Sequence, residues 1–326
     1  MKPETLRLGS RRSPMAVAQS GEVARLLTER TGRQVEIVGV TTVGDVSRDH
    51  LTQIGGTGVF VSALRESLLR GEVDFAVHSL KDLPTGAAAG ITLAAVPARD
   101  DPRDALIARD GAKLADLPVG ARIGTGSPRR AAQIGLLRGD VACVPIRGNA
   151  DTRLAKVRDG ELDAVVLAYA GLARLGRTDL VSQIFEPDDM VPAPGQGALA
   201  VECRAQDTEL VALLASIDHP ATRAAVTAER TLLAALEAGC SAPVGAYAFG
   251  TERLHLQGVV LGVPAAGQRA DGSDGAADGS TTVVRERGEA DLADAVRLGR
   301  ELAARMLALG AAELMGAKTD RDDAHD

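Results

Sequence analysis

Short apolar runs alternate with stretches of helical period along the first two-thirds of the chain. "LRLGS" reads as a strand, and "SPMAVAQSGEVARLLTERTG" places its apolar residues on one helical face. Ser13 stands at the N-cap of that helix, Pro14 at its first position and Gly32 at its end. "VEIVGVTTV" is β-branched and apolar, as a buried parallel strand should be. "VFVSALRESLLRGEV" returns to the helical period, and "DFAVHSL" is the next strand. Alternation of this kind predicts a parallel-rich sheet covered by helices, an α/β fold.

The order then repeats. "ARIGTGSPRRAAQIGLLRG" is again strand, glycine corner, Ser-Pro and helix; "VACVPIRGN", "DTRLAKVRDG" and "ELDAVVLAYAG" follow as strand, helix, strand. "GEVD" at 71–74 before one strand matches "GELD" at 160–163 before another. Two matched lobes with a cleft between them are expected. Pro and Gly mark crossings near "VPARDDPRD" and "VPAPGQGALAVE". The second crossing returns the chain to the first lobe, which "GALAVECRAQ" and the following helix complete. The expected division is residues 1–97 with 198–217 as lobe 1, 98–197 as an arginine-rich lobe 2, and 218–326 as a small α+β C-terminal domain. Residues 264–280, a Gly/Ala/Asp-rich stretch, are expected to form a mobile loop.

Composition narrows the function. With 45% hydrophobic and 25% charged residues in 326, the chain reads as soluble and globular. The absence of an N-terminal apolar segment or membrane-length run leads us to expect neither secretion nor a membrane partner. Cys143, Cys203 and Cys240 show no CxxC and no zinc-like spacing, so a reducing cytoplasm and no metal site are expected. A net charge of −7, no Trp and 2% aromatic residues argue against nucleic acid. No heptad or sticky strand demands association, and a monomer is expected.

Within this acidic chain, residues 122–159 are locally basic: Arg122, Arg129, Arg130, Arg138, Arg147, Arg153, Lys156 and Arg158 face only Asp140, Asp151 and Asp159. Arg129 and Arg130 fall in the first turn of a helix, where cations oppose the dipole. An anion bound from outside is the expected compensation. Other polar residues also follow strand ends, where open α/β sheets bind ligands. They are Arg11 and Ser13; Ser79, Lys81 and Asp82; Thr125 and Ser127; Arg147, Arg153 and Arg174. Arginine forks match carboxylates and phosphates. No GxxxxGK[ST] is present and "GQG" is too short for a dinucleotide fingerprint, so carboxylates are the better expectation. Cys240, just past a helix end in "EAGCSAPVG", reads either as a structural cysteine or as a point of permanent attachment. Two other readings stand beside an enzyme of this kind: a non-enzymatic bilobed carboxylate-binding or sensing protein, and a phosphate-ligand enzyme.

"HSLKDLP", "GTGSPRR", "IRGNADTRLAKV", "LAYAGLARLG", "PAPGQGALAVECR" and "AERTLLAALEAGCSAPVGAYA", in this order, closely resemble the porphobilinogen deaminases, also called hydroxymethylbilane synthases. The resemblance implies two lobes like periplasmic binding proteins plus a small third domain. It implies a transferase that polymerises four porphobilinogen molecules with loss of ammonia, on a dipyrromethane cofactor held by a thioether to Cys240. Each pyrrole carries an acetate and a propionate, the anions that the arginines await. Arg11, Arg129, Arg130, Arg147, Arg153 and Arg174 match the family's carboxylate-binding arginines, Ser13, Ser79, Thr125 and Ser127 its hydroxyl groups, and Lys81 its cleft lysine. Asp82 matches the catalytic residue, expected as a buried carboxylate that holds pyrrole N–H groups and stabilises developing positive charge. The chain departs from the pattern in "LTQIGGTGVF", where Gln53 and Thr57 replace lysines that many relatives carry, and at Gly126 and Pro128.

Overall fold

The computed structural model describes residues 5–40, 58–238, 242–262 and 283–316. In chain order the first elements are β1 (Thr5–Ser10), α1 (Pro14–Thr31), β2 (Gln34–Gly39), α2 (Gly58–Leu69), β3 (Phe75–Ser79) and β4 (Ile91–Ala95). Then follow β5 (Asp104–Ala108), β6 (Arg122–Gly124), α3 (Pro128–Leu137), β7 (Ala142–Val144), α4 (Ala150–Arg158), β8 (Ala164–Ala168), α5 (Tyr169–Arg174) and β9 (Gln183–Ile184). The last are β10 (Leu199–Arg204), α6 (Thr208–Leu214), α7 (Pro220–Ala235), β11 (Val244–Phe249), β12 (Arg253–Leu261), β13 (Val283–Asp291), α8 (Ala295–Ala308) and α9 (Ala311–Gly316).

Packing divides the chain into two compact units. Unit 1 comprises Met1–Pro102, Tyr169–Thr178 and Gly195–Val226; unit 2 comprises Arg103–Ala168, Asp179–Pro194 and Thr227–Asp326. The sheet of unit 1 has the order β2-β1-β3-β10-β4, with β1 parallel to β2 and β3, and β10 antiparallel to both neighbours. Unit 2 contains a sheet of order β7-β6-β8-β5-β9, with β6 parallel to β7 and β8, and β5 antiparallel to β8 and β9. The two sheets share one plan: three parallel strands with the first in the middle, one reversed strand, then an edge. The repeat read from the sequence is therefore a repeat of topology, and each sheet is parallel-rich with a single reversed strand.

The local reasons are legible. Ser13 Oγ accepts from Ala16 N at 3.3 Å, Pro14 occupies the first turn, and Gly32 ends α1 at φ 72°. Ser127 and Pro128 open α3 in the same way, with Arg130 N donating to Ser127 Oγ at 3.4 Å. Both solve the problem of unpaired N–H groups at a helix start. Leu6, Leu8, Val23, Leu27, Phe75, Leu199 and Val201 form the core of unit 1. Leu106, Ile123, Ile134, Val166, Phe185 and Met190 do so for the larger sheet of unit 2.

Unit 2 also holds a three-stranded antiparallel sheet, β11-β12-β13, covered by α8 through Leu298, Leu302 and Met306. Gly299 lets α8 approach α7 closely, since a Cβ there would lie 2.5 Å from Ala228 O. The fully buried Glu229 of α7 accepts from Ala248 N at 2.7 Å, joining that helix to the sheet. Residues 264–280, expected as a mobile loop, lie outside the described residues.

Candidate active site

In unit 1 the named residues follow the carboxyl ends of β1 and β3. Arg11 and Ser13 are half-buried just past β1. Ser79 ends β3, and Leu80–Asp82 forms one 3-10 turn. Leu80 takes the buried position, its N–H donating to Ala198 O at 3.0 Å. Lys81 is half-buried, with Nζ 3.4 Å from Gln196 Oε1. Asp82 is exposed and makes no ion pair with the described residues. This corrects the expectation of a buried carboxylate: the turn spends its one inward position on Leu80 and leaves Asp82 to solvent.

The turn rests on the "PGQG" loop, which the sequence reading set aside. Gln196 is fully buried; its Nε2 donates to Pro102 O at 2.6 Å and its carbonyl accepts from Arg99 Nε at 2.8 Å. Gly195 and Gly197 adopt φ of 76° and 87°, a region that favours glycine. A Cβ on Gly197 would lie 2.6 Å from Asp100 O. The glycines thus allow Gln196 to fold under Lys81.

Arg174 ends α5, also in unit 1. Its Nη2 lies 2.6 Å from Asp100 Oδ2 and donates to Gly197 O at 3.0 Å, and its Nε donates to Glu22 Oε2 at 3.3 Å. Below β3, Glu202 of β10 accepts from Arg65 Nη2 at 2.7 Å and Nε at 3.0 Å. His78 Nε2 stands 3.2 Å from the same carboxylate. Burial alone would push the Glu202 carboxyl up, but adjacent His78 and Arg65 hold it at about 2.

In unit 2 the named residues lie on or beside β6, α3, β7 and α4. Thr125 is buried, its N–H donating to Val144 O at 3.0 Å and its Oγ1 accepting from Ser127 N at 3.2 Å. Gly126 passes so near the segment after β7 that a Cβ would lie 2.7 Å from Ile146 O. In this chain a larger residue there would clash with backbone.

Arg129 and Arg130 are buried, 3% and 6% exposed. Both reach Asp104 at the start of β5. Arg129 Nη2 donates to Oδ2 at 2.7 Å, and Arg130 donates to Oδ1 from Nε at 2.9 Å. Arg130 Nη2 lies 2.7 Å from the same oxygen. Their remaining forks donate to Val191 O at 2.6 Å and Val166 O at 3.1 Å. The arginine pair therefore already has an internal anion, where the sequence led us to expect one bound from outside.

Burial pushes the Arg129 guanidinium down, with Asp104 opposing that shift and Arg130 adding to it; Arg129 Nε is buried without a hydrogen-bond partner among the described residues. Arg153 donates from Nε to Gly148 O at 2.9 Å and is also lowered, first by burial and then by the charge of Arg130. Arg147 is exposed and has no ion pair with the described residues. Two cations that disfavour each other, an exposed third and a helix N-terminus suit an anionic ligand.

Cys240 and, of the 51–60 loop, residues 51–57 with Gln53 and Thr57 lie outside the described residues. Among the described residues no group of three His, Cys, Asp or Glu side chains is placed to hold a metal ion. Cys143 is unsuited to nucleophilic work, since burial pushes its thiol up to about 11. Sequence reasoning missed Asp104, Asp100 and Gln196. Asp104 sat in "DDPRD", read as a crossing; an acid directly before the apolar "ALIA" was the available signal.

Comparison with known proteins completes the picture. Residues 6–212 match the family model "Porphobilinogen deaminase, dipyromethane cofactor binding domain", and residues 223–308 match "Porphobilinogen deaminase, C-terminal domain". The chain is 58% identical to porphobilinogen deaminase 1 of Streptomyces coelicolor, over 97% of this chain and 99% of that one. It is 59% identical to the porphobilinogen deaminase of Thermobifida fusca, over 97% of each. Against the porphobilinogen deaminase of Mycobacterium tuberculosis the identity is 51%, over 95% of this chain and 98% of that one. Among solved structures, the methionine binding protein MetQ covers 66% of this chain and 90% of its own, at 11% identity and a TM-score of 0.43. With two adjoining models and near full-length relatives in agreement, this chain belongs to the porphobilinogen deaminase family.

Proposed function

We propose that this chain joins four porphobilinogen molecules head-to-tail with loss of ammonia, releasing the linear tetrapyrrole hydroxymethylbilane. One observation carries the reading: the match to the dipyrromethane cofactor binding domain spans 6–212 and so includes every strand-end residue from Arg11 to Arg174. The non-enzymatic carboxylate-binding reading finds no support in that match.

The residues suit a polycarboxylate cofactor. Arg153 with Arg130 nearby, the Arg129 Nε that has no hydrogen-bond partner among the described residues, and the exposed Arg147 suit acetate and propionate groups. Thr125, Ser127, Arg129, Arg130, Ser79, Lys81 and Asp82 would hold the cofactor, and Cys240, within the C-terminal family match, would tether it by thioether. When bound, the dipyrromethane supplies the primer that pyrroles extend. Arg11, Ser13, Arg147, Arg153 and Arg174 would bind the substrate's carboxylates. Asp82, exposed at its turn, accepts pyrrole N–H groups and stabilises positive charge as ammonia departs. Lys81, steadied by Gln196, sets a fixed cation beside it.

The reading extends to a cytoplasmic monomer with porphobilinogen as its small-molecule partner and no nucleic acid. Its division would be 1–97 with 198–217, 98–197, and 218–326. No described helix is long and apolar enough to cross a membrane. Intact-protein mass spectrometry before and after adding porphobilinogen tests the activity. A resting mass above that of the bare chain, growing in steps of one pyrrole unit, is expected; a bare chain that stays unchanged would refute it.

A further inference from the structure

Asp104 has no exposed surface, yet its two oxygens serve two buried guanidinium groups at 2.7–2.9 Å. Two guanidinium groups thus share one carboxylate. A buried ion cluster is weak evidence for stability, because apolar residues of similar volume pack as well. Its geometry is directional, however. Arg129 donates to Asp104 and to Val191 O, and Arg130 to Asp104 and to Val166 O. Both side chains start from the first turn of α3, between the capping Ser127 and the core.

We propose that Asp104 is a positioning residue for tetrapyrrole assembly, an internal carboxylate that holds Arg129 and Arg130 in place and reduces the charge they offer a ligand. This rests on the porphobilinogen reading. Asp104 touches no substrate; it acts through the arginines. Donors already oriented need little rearrangement when a carboxylate arrives. An internal carboxylate beside the arginines also limits how firmly a polyanion is gripped, which matters for a chain that must advance and leave.

The test uses the holoenzyme and the variants Asp104→Asn and Asp104→Glu. Each is assayed for kcat and KM with porphobilinogen, and for thermal midpoint with and without citrate. Loss of the charge in Asp104→Asn is expected to lower kcat by at least roughly tenfold, the scale of one charge-assisted contact. Its midpoint should fall in buffer and rise more with citrate than wild type does, because an added polycarboxylate replaces the missing anion. Asp104→Glu, which restores the charge, should recover part of both. Wild-type kinetics with an unchanged citrate response in Asp104→Asn would overturn the proposal. If Asp104→Asn does not fold, Asp104→Glu decides: reduced kcat at a near wild-type midpoint supports the role, and wild-type kcat refutes it. Wild-type protein that fails to polymerise porphobilinogen sinks the functional reading instead, while the citrate response still decides whether Asp104 stands in for a ligand anion.

Discussion

Arg174 and Asp100 meet at 2.6 Å, Nη2 to Oδ2, while Nη2 also donates to Gly197 O and Nε donates to Glu22. An arginine named as a ligand group is thus also a structural tie within unit 1. Arg147, named in the same role, is exposed and has no ion pair with the described residues. The two should respond differently to removal. Arg174→Leu is expected to destabilise by about 1.5–3 kcal/mol, the range for hydrogen bonds to charged groups. Arg147→Leu should leave the thermal midpoint near wild type and weaken porphobilinogen handling roughly tenfold or more. Calorimetry paired with initial rates checks both, and equal midpoints for the two variants would count against the distinction.

Asp82 lies on a surface turn with no ion pair among the described residues, so neutralising it should cost little structure. Asp82→Asn is expected to fold, keep its covalent cofactor by mass, and lose about 10²–10⁴ in kcat, the usual span for a positioned acid–base group. Near-normal turnover in that variant would remove Asp82 from the mechanism.

Cys240→Ser tests the tether. Its intact mass should match the bare chain after the serine exchange is counted, while wild type carries the extra dipyrromethane. A variant that retains the increment would place the attachment elsewhere.

The Glu202 carboxyl, held at about 2 against an ordinary 4.5, ties stability to acid. A carboxyl lowered in the folded state contributes stability that is full above the unfolded value and disappears as pH falls toward the folded one. The shift corresponds to about 3 kcal/mol, fading between roughly pH 5 and pH 2. Glu202→Gln should be less stable than wild type at neutral pH, and the gap should close in that window. Denaturant unfolding along a pH series reads it; a gap constant down to pH 2 would contradict the assignment.

Much of this architecture is written locally. Ser13-Pro14 and Ser127-Pro128 announce their helices, and the apolar runs at 75–79 and 164–168 announce buried strands, because caps and periodicity need only near neighbours. The site was legible as a set of residues beyond strand ends. Its pairing was not. Arg129 and Arg130 reach an aspartate about 25 residues away, through a strand whose reversed direction depends on contacts with β8 and β9. The exposure of Asp82 likewise follows from Leu80 binding Ala198, a partner far along the chain.

The two sheets share a plan but not a schedule. All five strands of the second, β5 to β9, come from residues 104–184. The first needs β10, at 199–204, wedged between β3 and β4. During synthesis β3 and β4 therefore emerge early and wait with bare edges, open to wrong partners. The middle of the chain can close its sheet before the beginning does, and released chains truncated between Phe185 and Leu199 should show protease protection over 104–184 alone.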